Sequence, residues 1–368
     1  MLNAQVPGVI VNHVPASTET YVGSPSIVIL DDGSYVASHD LFGPGSTYDT
    51  SLIFRSTDRG STWRRIATVN DCFWSNLFVH RGALYLMGTS GRFKSAVIRR
   101  SEDGGRSWTT PRDETSGIIR DDGMYHTAPT PIVDHNGRLW RAMEDRDEDR
   151  HPGIKRGRNF RALMLSAEAD ADLLDRSSWM VSPPIGGNPA WLNGAFGGWL
   201  EGNAIVAPDG SVVDVLRVDY RVGDGEYAAI ARISDDGSEA SFSPDDFVRF
   251  PGGCKKFSIR RDPADGTYWT LSNAVAQGYE DYNVERARNT LVLMRSPDLR
   301  TWETIRTVLH HPSIDNHAFQ YVDWQFDRDD LIVASRTAFD DGLGGAHNQH
   351  DANFLTFHRV SRFREEHR

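Results

Sequence analysis

The chain is almost without cysteine: its 368 residues include only two, Cys72 and Cys254, far apart in sequence. Two distant thiols build neither a disulfide framework nor a metal knuckle, and both read as small buried hydrophobes. Long apolar runs are missing too. None approaches the ~20 residues of a membrane span, so a soluble chain with no membrane partner is expected. Met1 to Gly8 hold no basic segment followed by an apolar stretch, the pattern of an export signal. The protein is therefore expected to be intracellular, or exported with its signal already removed. The basic residues form no run able to track a phosphate backbone, and the formal charge is −11, which argues against nucleic acid as a partner. Helical periodicity is the last absence, and it removes the helical fold classes.

What the chain does have is 33 glycines, 10 tryptophans and short stretches of alternating apolar and polar residues between Gly/Asp/Asn turns, the signature of strands and hairpins. Residues 27–30 and 35–38 flank the turn Asp31-Asp32-Gly33, and residues 51–55 and 63–69 make a second hairpin. First hairpins recur at 77–79 with 83–87, 131–133 with 139–142, 204–207 with 212–216, 257–260 with 268–271, and 321–326 with 331–335. Each is followed by a partner hairpin, except that the last, around residues 354–360, is one strand short. Residues 9–14 are placed to supply that strand and close a ring by pairing the two ends of the chain. Repeats of about 40–50 residues, each a four-stranded sheet, mark a β-propeller. The expected fold is all-β, a single propeller domain over residues 1–368 with about six blades, the irregular stretch between residues 161 and 199 leaving room for a seventh.

The second hairpins carry the strongest local motif. Ser56-Thr57-Asp58-Arg59-Gly60-Ser61-Thr62-Trp63 and Ser101-Glu102-Asp103-Gly104-Gly105-Arg106-Ser107-Trp108 both fit S-x-D-x-G-x-[ST]-W. Ser296-Pro297-Asp298-Leu299-Arg300-Thr301-Trp302 is a shortened copy and Ser234-Asp235-Asp236-Gly237 a degenerate one. These resemble the Asp-box of the sialidase superfamily. Their logic is local: the Asp accepts backbone N–H groups within its turn, the Gly takes a positive φ, and the Trp packs between blades. The motif is therefore a folding device, and its aspartates have no acceptor capacity left for catalysis.

Antiparallel pairing puts the two turns within each blade on one face, and the entries to first strands and exits from second strands on the other. His80 and His135 fall on the turn face. His39, Asp40, His126 and His317 fall on the opposite face, where a sialidase-like propeller opens its substrate funnel. Sorted to the same mouth are Trp74, Asn76, Arg141, Glu144, Glu201, Asn203, Lys255, Lys256, Asn273 and Arg336, with the loop 346–353 that carries His347, His350 and Asp351. Convergent polar groups in a concavity are the usual signal of a site.

An ordinary exo-sialidase would need an arginine cluster for its substrate carboxylate, commonly announced by an early F/Y-R-I-P segment, and a Tyr/Glu nucleophilic pair. Tyr21-Val22-Gly23-Ser24-Pro25-Ser26 stands at that place without an arginine. That stretch, with its continuation to His39-Asp40-Leu41-Phe42-Gly43, instead resembles the propeller enzymes that cleave L-rhamnose from glucuronate in plant gums, once classed as rhamnosidases and later as lyases. Trp199-Leu200-Glu201-Gly202-Asn203, Lys256-Phe257-Ser258-Ile259-Arg260, Phe319-Gln320-Tyr321-Val322-Asp323-Trp324, Arg336-Thr337-Ala338-Phe339-Asp340 and His350-Asp351-Ala352-Asn353-Phe354 extend the likeness over most of the chain. The resemblance implies histidine-centred chemistry, with His39 nearest the key catalytic position.

Eliminating a substituent from C4 of a uronate needs groups that stabilise charge on the C6 carboxylate, a base for the C5 proton and an acid for the leaving oxygen. His39 and His126 are expected as that base and acid, with Tyr125 able to replace either. Arg336 and Lys256 would hold the carboxylate. Glu201, Asn203, His347, His350 and Asp351 would contact hydroxyls, and Asp40, Arg141, Glu144 and His317 complete the expected substrate contacts. The alternatives are hydrolysis by Glu144 or Glu201 paired with Asp40 or Asp351, and a non-catalytic glycan-binding propeller. In every case the partner is an oligosaccharide or polysaccharide. No cofactor is implied, and no metal is expected: His347, His350 and Asp351 have ligand chemistry but sit on a Gly-rich loop with no clear further ligand.

Overall fold

In the computed structural model, which describes residues 5–147, 159–220, 225–279 and 282–365, the strands form six antiparallel sheets. Taken from inner strand outward, blade I is Tyr21–Val22 with Ser26–Ile29, Tyr35–Phe42, Thr50–Ser56 and Arg64–Asn70. Blade II is Phe73–His80, Ala83–Thr89, Ala96–Ser101 and Ile118–Arg120. Blade III is Tyr125–His126 with Val133–His135, Arg138–Arg146, Phe160–Glu168, and Trp179–Val181 with Ile185–Gly186. Blade IV is Phe196–Val206, Val212–Tyr220, Tyr227–Ile233, and Ala240–Ser241 with Phe247–Arg249. Blade V is Ser258–Arg261, Tyr268–Ser272, Thr290–Ser296 and Glu303–His310. Blade VI is Ala318–Asp327, Asp330–Ala338, Phe354–Val360 and, from the other end of the chain, Val9–His13.

That last pairing, Val9 opposite Phe357 and His13 opposite Phe354, is the expected ring closure. Among the described residues no seventh blade occurs. The irregular stretch is the outer edge of blade III, where Pro183 and Pro184 separate two short segments that both pair with Phe160–Glu168. Proline has no N–H to donate to a ladder, so the strand breaks there.

The core is a set of seams between neighbouring blades. Val28, Ile53, Leu77 and Leu86 join blades I and II, and Phe357, Leu355 and Ile332 of blade VI meet Ile27, Tyr35 and Phe54 of blade I. The Asp-boxes stitch these seams at one end. Asp58 accepts from the Thr62 backbone N–H at 2.9 Å and from the Ser56 hydroxyl at 2.7 Å, and Asp103 repeats the arrangement with Ser107 and Ser101. Gly60 and Gly105 have φ of +90° and +94°. The Trp63 indole donates to the Gly60 carbonyl at 3.1 Å and lies 5.5 Å from Phe357 of the neighbouring blade. Both cysteines are buried. No helix among the described residues is long and apolar enough to cross a membrane.

Candidate active site

A cavity of about 420 Å³ opens at the centre of the ring, on the face away from the Asp-box turns. Its shape follows from an irregularity in alternate blades. The inner strands of blades II, IV and VI each carry a bulge, with register slips between Phe73 and Asn76, Leu200 and Asn203, and Gln320 and Asp323. In each bulge one residue takes the left-handed conformation: Trp74 (φ +49°), Glu201 (φ +59°) and Tyr321 (φ +52°). A bulge re-aims a side chain out of the strand's alternation, and all three of these line the cavity. A buried charged group of the preceding blade or its edge secures each bulge. Asp40 accepts from the Trp74 N–H at 2.7 Å, Glu144 accepts from the Gly202 N–H at 3.0 Å, and the Lys256 ammonium donates to the Val322 carbonyl at 2.6 Å.

Around Tyr321 stand three arginines from three blades. The Arg217 guanidinium donates to Glu201 Oε2 at 2.7 Å and reaches the Tyr321 hydroxyl at 3.4 Å. The guanidinium of Arg336 lies 4.7 Å from the Tyr321 ring and 4.4 Å from that of Phe42, and Arg288 lies 5.3 Å from the Tyr321 ring. Burial lowers the Arg336 pKa to about 10, so it stays cationic at neutral pH. For Arg217 burial opposes the charge, but Glu201, Tyr321 and Glu285 outweigh it and raise the pKa. Burial would likewise raise Glu201, but Arg217 and the other facing cations hold its pKa below the usual carboxylate value.

Behind Arg217 a buried ion pair fixes its direction. Lys255 Nζ donates to Glu226 at 2.6 Å and to the Val284 carbonyl at 2.8 Å, while Glu226 also accepts from the Gly252 N–H at 2.6 Å and from the Cys254 thiol at 2.7 Å. The Cys254 carbonyl in turn accepts from Arg217 Nε at 2.9 Å. Burial pushes the Cys254 thiol up to about 12, so it is an un-ionised donor.

On the opposite wall, His126 Nδ1 bonds Glu144 Oε2 at 2.8 Å, and its ring stacks on Phe160 at 4.7 Å and meets Trp74 edge-on at 4.4 Å. With Glu144 on Nδ1, Nε2 makes no hydrogen bond among the described residues. Such a base–orienter pair is what proton transfer requires. Asp40, held by the Ser24 and Trp74 N–H groups, has its pKa raised to about 6 by burial.

Of the residues expected from sequence, Asp40, His126, Glu201, Arg336, His350 and Asp351 line the cavity, and Glu144 stands directly behind His126. His350 Nδ1 bonds Asp351 at 2.7 Å, and its carbonyl accepts from Arg336 Nε at 3.1 Å. Burial and the facing Arg336 lower its pKa.

The other seven lie elsewhere, each for a physical reason. His39 precedes Asp40 on one strand, so its ring points to the opposite side, into the seam between blades VI and I. There it stacks on Phe54, both ring nitrogens are bonded, to Asn12 and to the Asp40 carbonyl, and burial lowers its pKa to about 4. Tyr125 faces a separate cleft at the edge of blade III, where its hydroxyl donates to Asp122 at 2.6 Å. Arg141 is buried against the 127–130 segment, donating to the Thr130 and Ala128 carbonyls. Asn203 bridges blades IV and V by accepting from the Ile259 N–H at 3.0 Å. Lys256 lies beneath Tyr321, its charge disfavoured by burial to a pKa of about 8. His317 stacks on His311 at 3.6 Å, and His347 is an exposed ring over Tyr21.

Arg217, Arg288 and Tyr321 went unseen in the sequence. One signal for Tyr321 was present: Trp74-Ser75-Asn76, Glu201-Gly202-Asn203 and Tyr321-Val322-Asp323 occupy the same place in alternate blades. Among the described residues no group of three or more His, Cys, Asp or Glu is arranged to hold a metal ion.

No family model matches the chain, and no curated protein matches it. Solved structures do. A Penicillium chrysogenum α-L-arabinanase complexed with arabinobiose aligns at 16% identity over 98% of this chain and 99% of its own, with a TM-score of 0.60. A Hadza microbial sialidase aligns at 14% identity over 96% of this chain and 68% of its own, with a TM-score of 0.65. An α-L-arabinofuranosidase of Fusarium graminearum aligns at 13% identity over 96% of this chain and 97% of its own, with a TM-score of 0.59. At such identities the likeness establishes the fold, a sialidase-like β-propeller.

Proposed function

We propose that this protein is a carbohydrate-active enzyme that cleaves a glycosidic bond next to a carboxylate-bearing sugar at a glycan end. The observation that carries the reading is the convergence of Arg217, Arg288 and Arg336 on Tyr321 and Glu201 in one cavity. Buried guanidinium groups lining a concavity are strong, geometrically selective partners for a carboxylate. The neutral arabinan chemistry named for two of the structural neighbours gives no reason for three of them. The cavity volume lies within the roughly 300–1,000 Å³ of small-ligand sites.

The geometry best supports hydrolysis. The Tyr321 hydroxyl, which shares the Arg217 guanidinium with Glu201, is the attacking oxygen, with Glu201 as the base that relieves it of its proton. A neutral phenol approaches an anionic sugar without the repulsion a carboxylate would meet. The leaving oxygen takes its proton from Asp40, whose pKa burial raises to about 6, or from His126, oriented by Glu144. Water then displaces Tyr321 from the sugar, giving a proton to that same group while Glu201 returns to the phenol the one it took.

A second reading, β-elimination at a uronate such as the rhamnose–glucuronate ends of plant gums, is favoured by the His126–Glu144 pair. There His126 takes the C5 proton, the C4–O bond breaks as the C4–C5 double bond forms, Asp40 protonates the leaving oxygen, and the arginines hold the C6 carboxylate. Digestion of sialosides, glucuronate-terminated oligosaccharides, gum arabic and arabinan, with products weighed by mass spectrometry, tests both readings. A product heavier by one water marks hydrolysis, and an ultraviolet-absorbing unsaturated uronate marks elimination. Cleavage of arabinan with every acidic glycan left intact would overturn the acidic-sugar reading.

A further inference from the structure

Two of the three bulge residues, Glu201 and Tyr321, belong to the chemistry proposed above, while the third does not. Trp74 has the same left-handed backbone, the same place in the inner strand of an alternate blade, and the same kind of buried charged anchor, here Asp40 on its N–H. A bulky residue held in that conformation is strained, and such strain persists where the surrounding structure imposes it, most often at functional sites.

The indole lies in the cavity wall, packed against Phe73 at 4.7 Å and edge-on to His126 at 4.4 Å. Its Nε1–H makes no hydrogen bond among the described residues. The indoles of Trp63, Trp108 and Trp302, by contrast, all donate to carbonyls within their own turns. The cavity is thus uneven, with Arg217, Arg286, Arg288 and Arg336 on the side of blades IV to VI, and Phe42, Tyr48, Phe73 and Trp74, with Arg92 among them, on the side of blades I and II.

We propose that Trp74 forms a second subsite, which takes the uncharged sugar on the leaving side of the cleaved bond. The proposal rests on the acidic-sugar reading and extends it: the substrate is at least a disaccharide end, acidic unit first and neutral unit second. An indole offers an apolar face to the C–H side of a pyranose and one donor to a hydroxyl. It adjoins Asp40 and His126, the groups able to protonate the oxygen that joins the two sugars. Among the described lining residues the aromatic side presents one arginine, Arg92, over the rings of Tyr48 and Phe93, against four on the side of blades IV to VI.

The test is calorimetric titration in a Tyr321→Phe background, which removes the attacking oxygen and keeps the ring between the arginines. The probes are methyl glucuronide and methyl sialoside, each beside a disaccharide in which the same acidic sugar is linked to galactose. At least one disaccharide is expected to bind about tenfold or more tightly than its methyl glycoside. Adding Trp74→Ala should erase that preference and leave methyl glycoside binding within about twofold. Trp74→Phe, which keeps a ring but loses the donor and guards against misfolding of the alanine variant, should retain part of the preference. Equal binding of disaccharide and methyl glycoside in the background, or a preference untouched by both Trp74 substitutions, overturns the subsite and leaves the acidic-sugar reading standing. Failure to bind any of the four probes overturns both.

Discussion

The two faces of the ring use the same residue types to opposite ends. On the turn face Asp58 and Asp103 accept backbone N–H and hydroxyl groups while open to solvent, and those bonds depress their pKa values to about 2. On the cavity face Asp40 also accepts two backbone N–H groups, but burial dominates and raises its pKa to about 6. Trp63 and Trp108 spend their N–H on their own turns, whereas that of Trp74, in the cavity wall, makes no hydrogen bond among the described residues. Residue type and hydrogen-bond pattern therefore do not separate a stitch from a site. What separates them is whether the group is desolvated and whether its bonding capacity is used up.

The sharpest way to test that contrast is to remove one oxygen from the cavity face. Tyr321→Phe is expected to lower turnover of the cleaved glycan by about 10²–10⁴-fold with thermal stability nearly unchanged, measured by steady-state kinetics beside a melting curve. Next comes Phe357→Ala, at the Asp-box end of the closing seam, where the ring packs on Trp63 and fills the space beside Gly60. Deleting a buried phenyl costs about 3–5 kcal/mol, so urea unfolding should shift strongly while KM stays put.

The third prediction concerns Asp40. Its folded pKa is raised, so the folded state favours the protonated form. Its contribution is complete below the unfolded value of about 4 and is lost as pH rises through about 6, a swing on the order of 3 kcal/mol. Asp40→Asn should flatten unfolding stability between those pH values. If Asp40 is the proton donor, the same substitution removes the fall in rate as pH rises through about 6.

The smallest effect is expected from Asp103→Asn. Its depressed pKa means its contribution is full above about 4 and lost only as pH falls toward 2. The variant should melt slightly earlier at neutral pH, lose that difference under strong acid, and turn over substrate at the wild-type rate. A loss of activity there would erase the division between the faces.

Much of the architecture was legible because its signals are local. Alternation, Gly/Asp turns and the Asp-boxes identify hairpins wherever they occur, and a blade one strand short calls for the chain's other end. Pro183 and Pro184 even account for the stretch that left room for a seventh blade. The site was legible only in part. Asp40, His126, Glu201, Arg336, His350 and Asp351 were traced to the cavity lining by asking which end of a blade each occupies, a question topology answers. His39 was misplaced because the end of a blade does not say toward which seam a side chain points; one step along a strand separates it from Asp40. Lys256 and Arg141 were misplaced for a related reason, since a long cation near the mouth can turn inward to hold backbone carbonyls.

By itself, then, the order of residues determined a ring of sheets and its stitched face, because those depend on contacts between near neighbours in the chain, and it pointed to the closure because the last blade is one strand short. Only the tertiary structure decided that Arg217, Arg288 and Arg336 meet around Tyr321, and that Tyr321 joins Trp74 and Glu201 in the cavity wall. Three bulges reset the alternation that sequence reasoning counts on, and ring closure brings cations from three different blades within reach of one another.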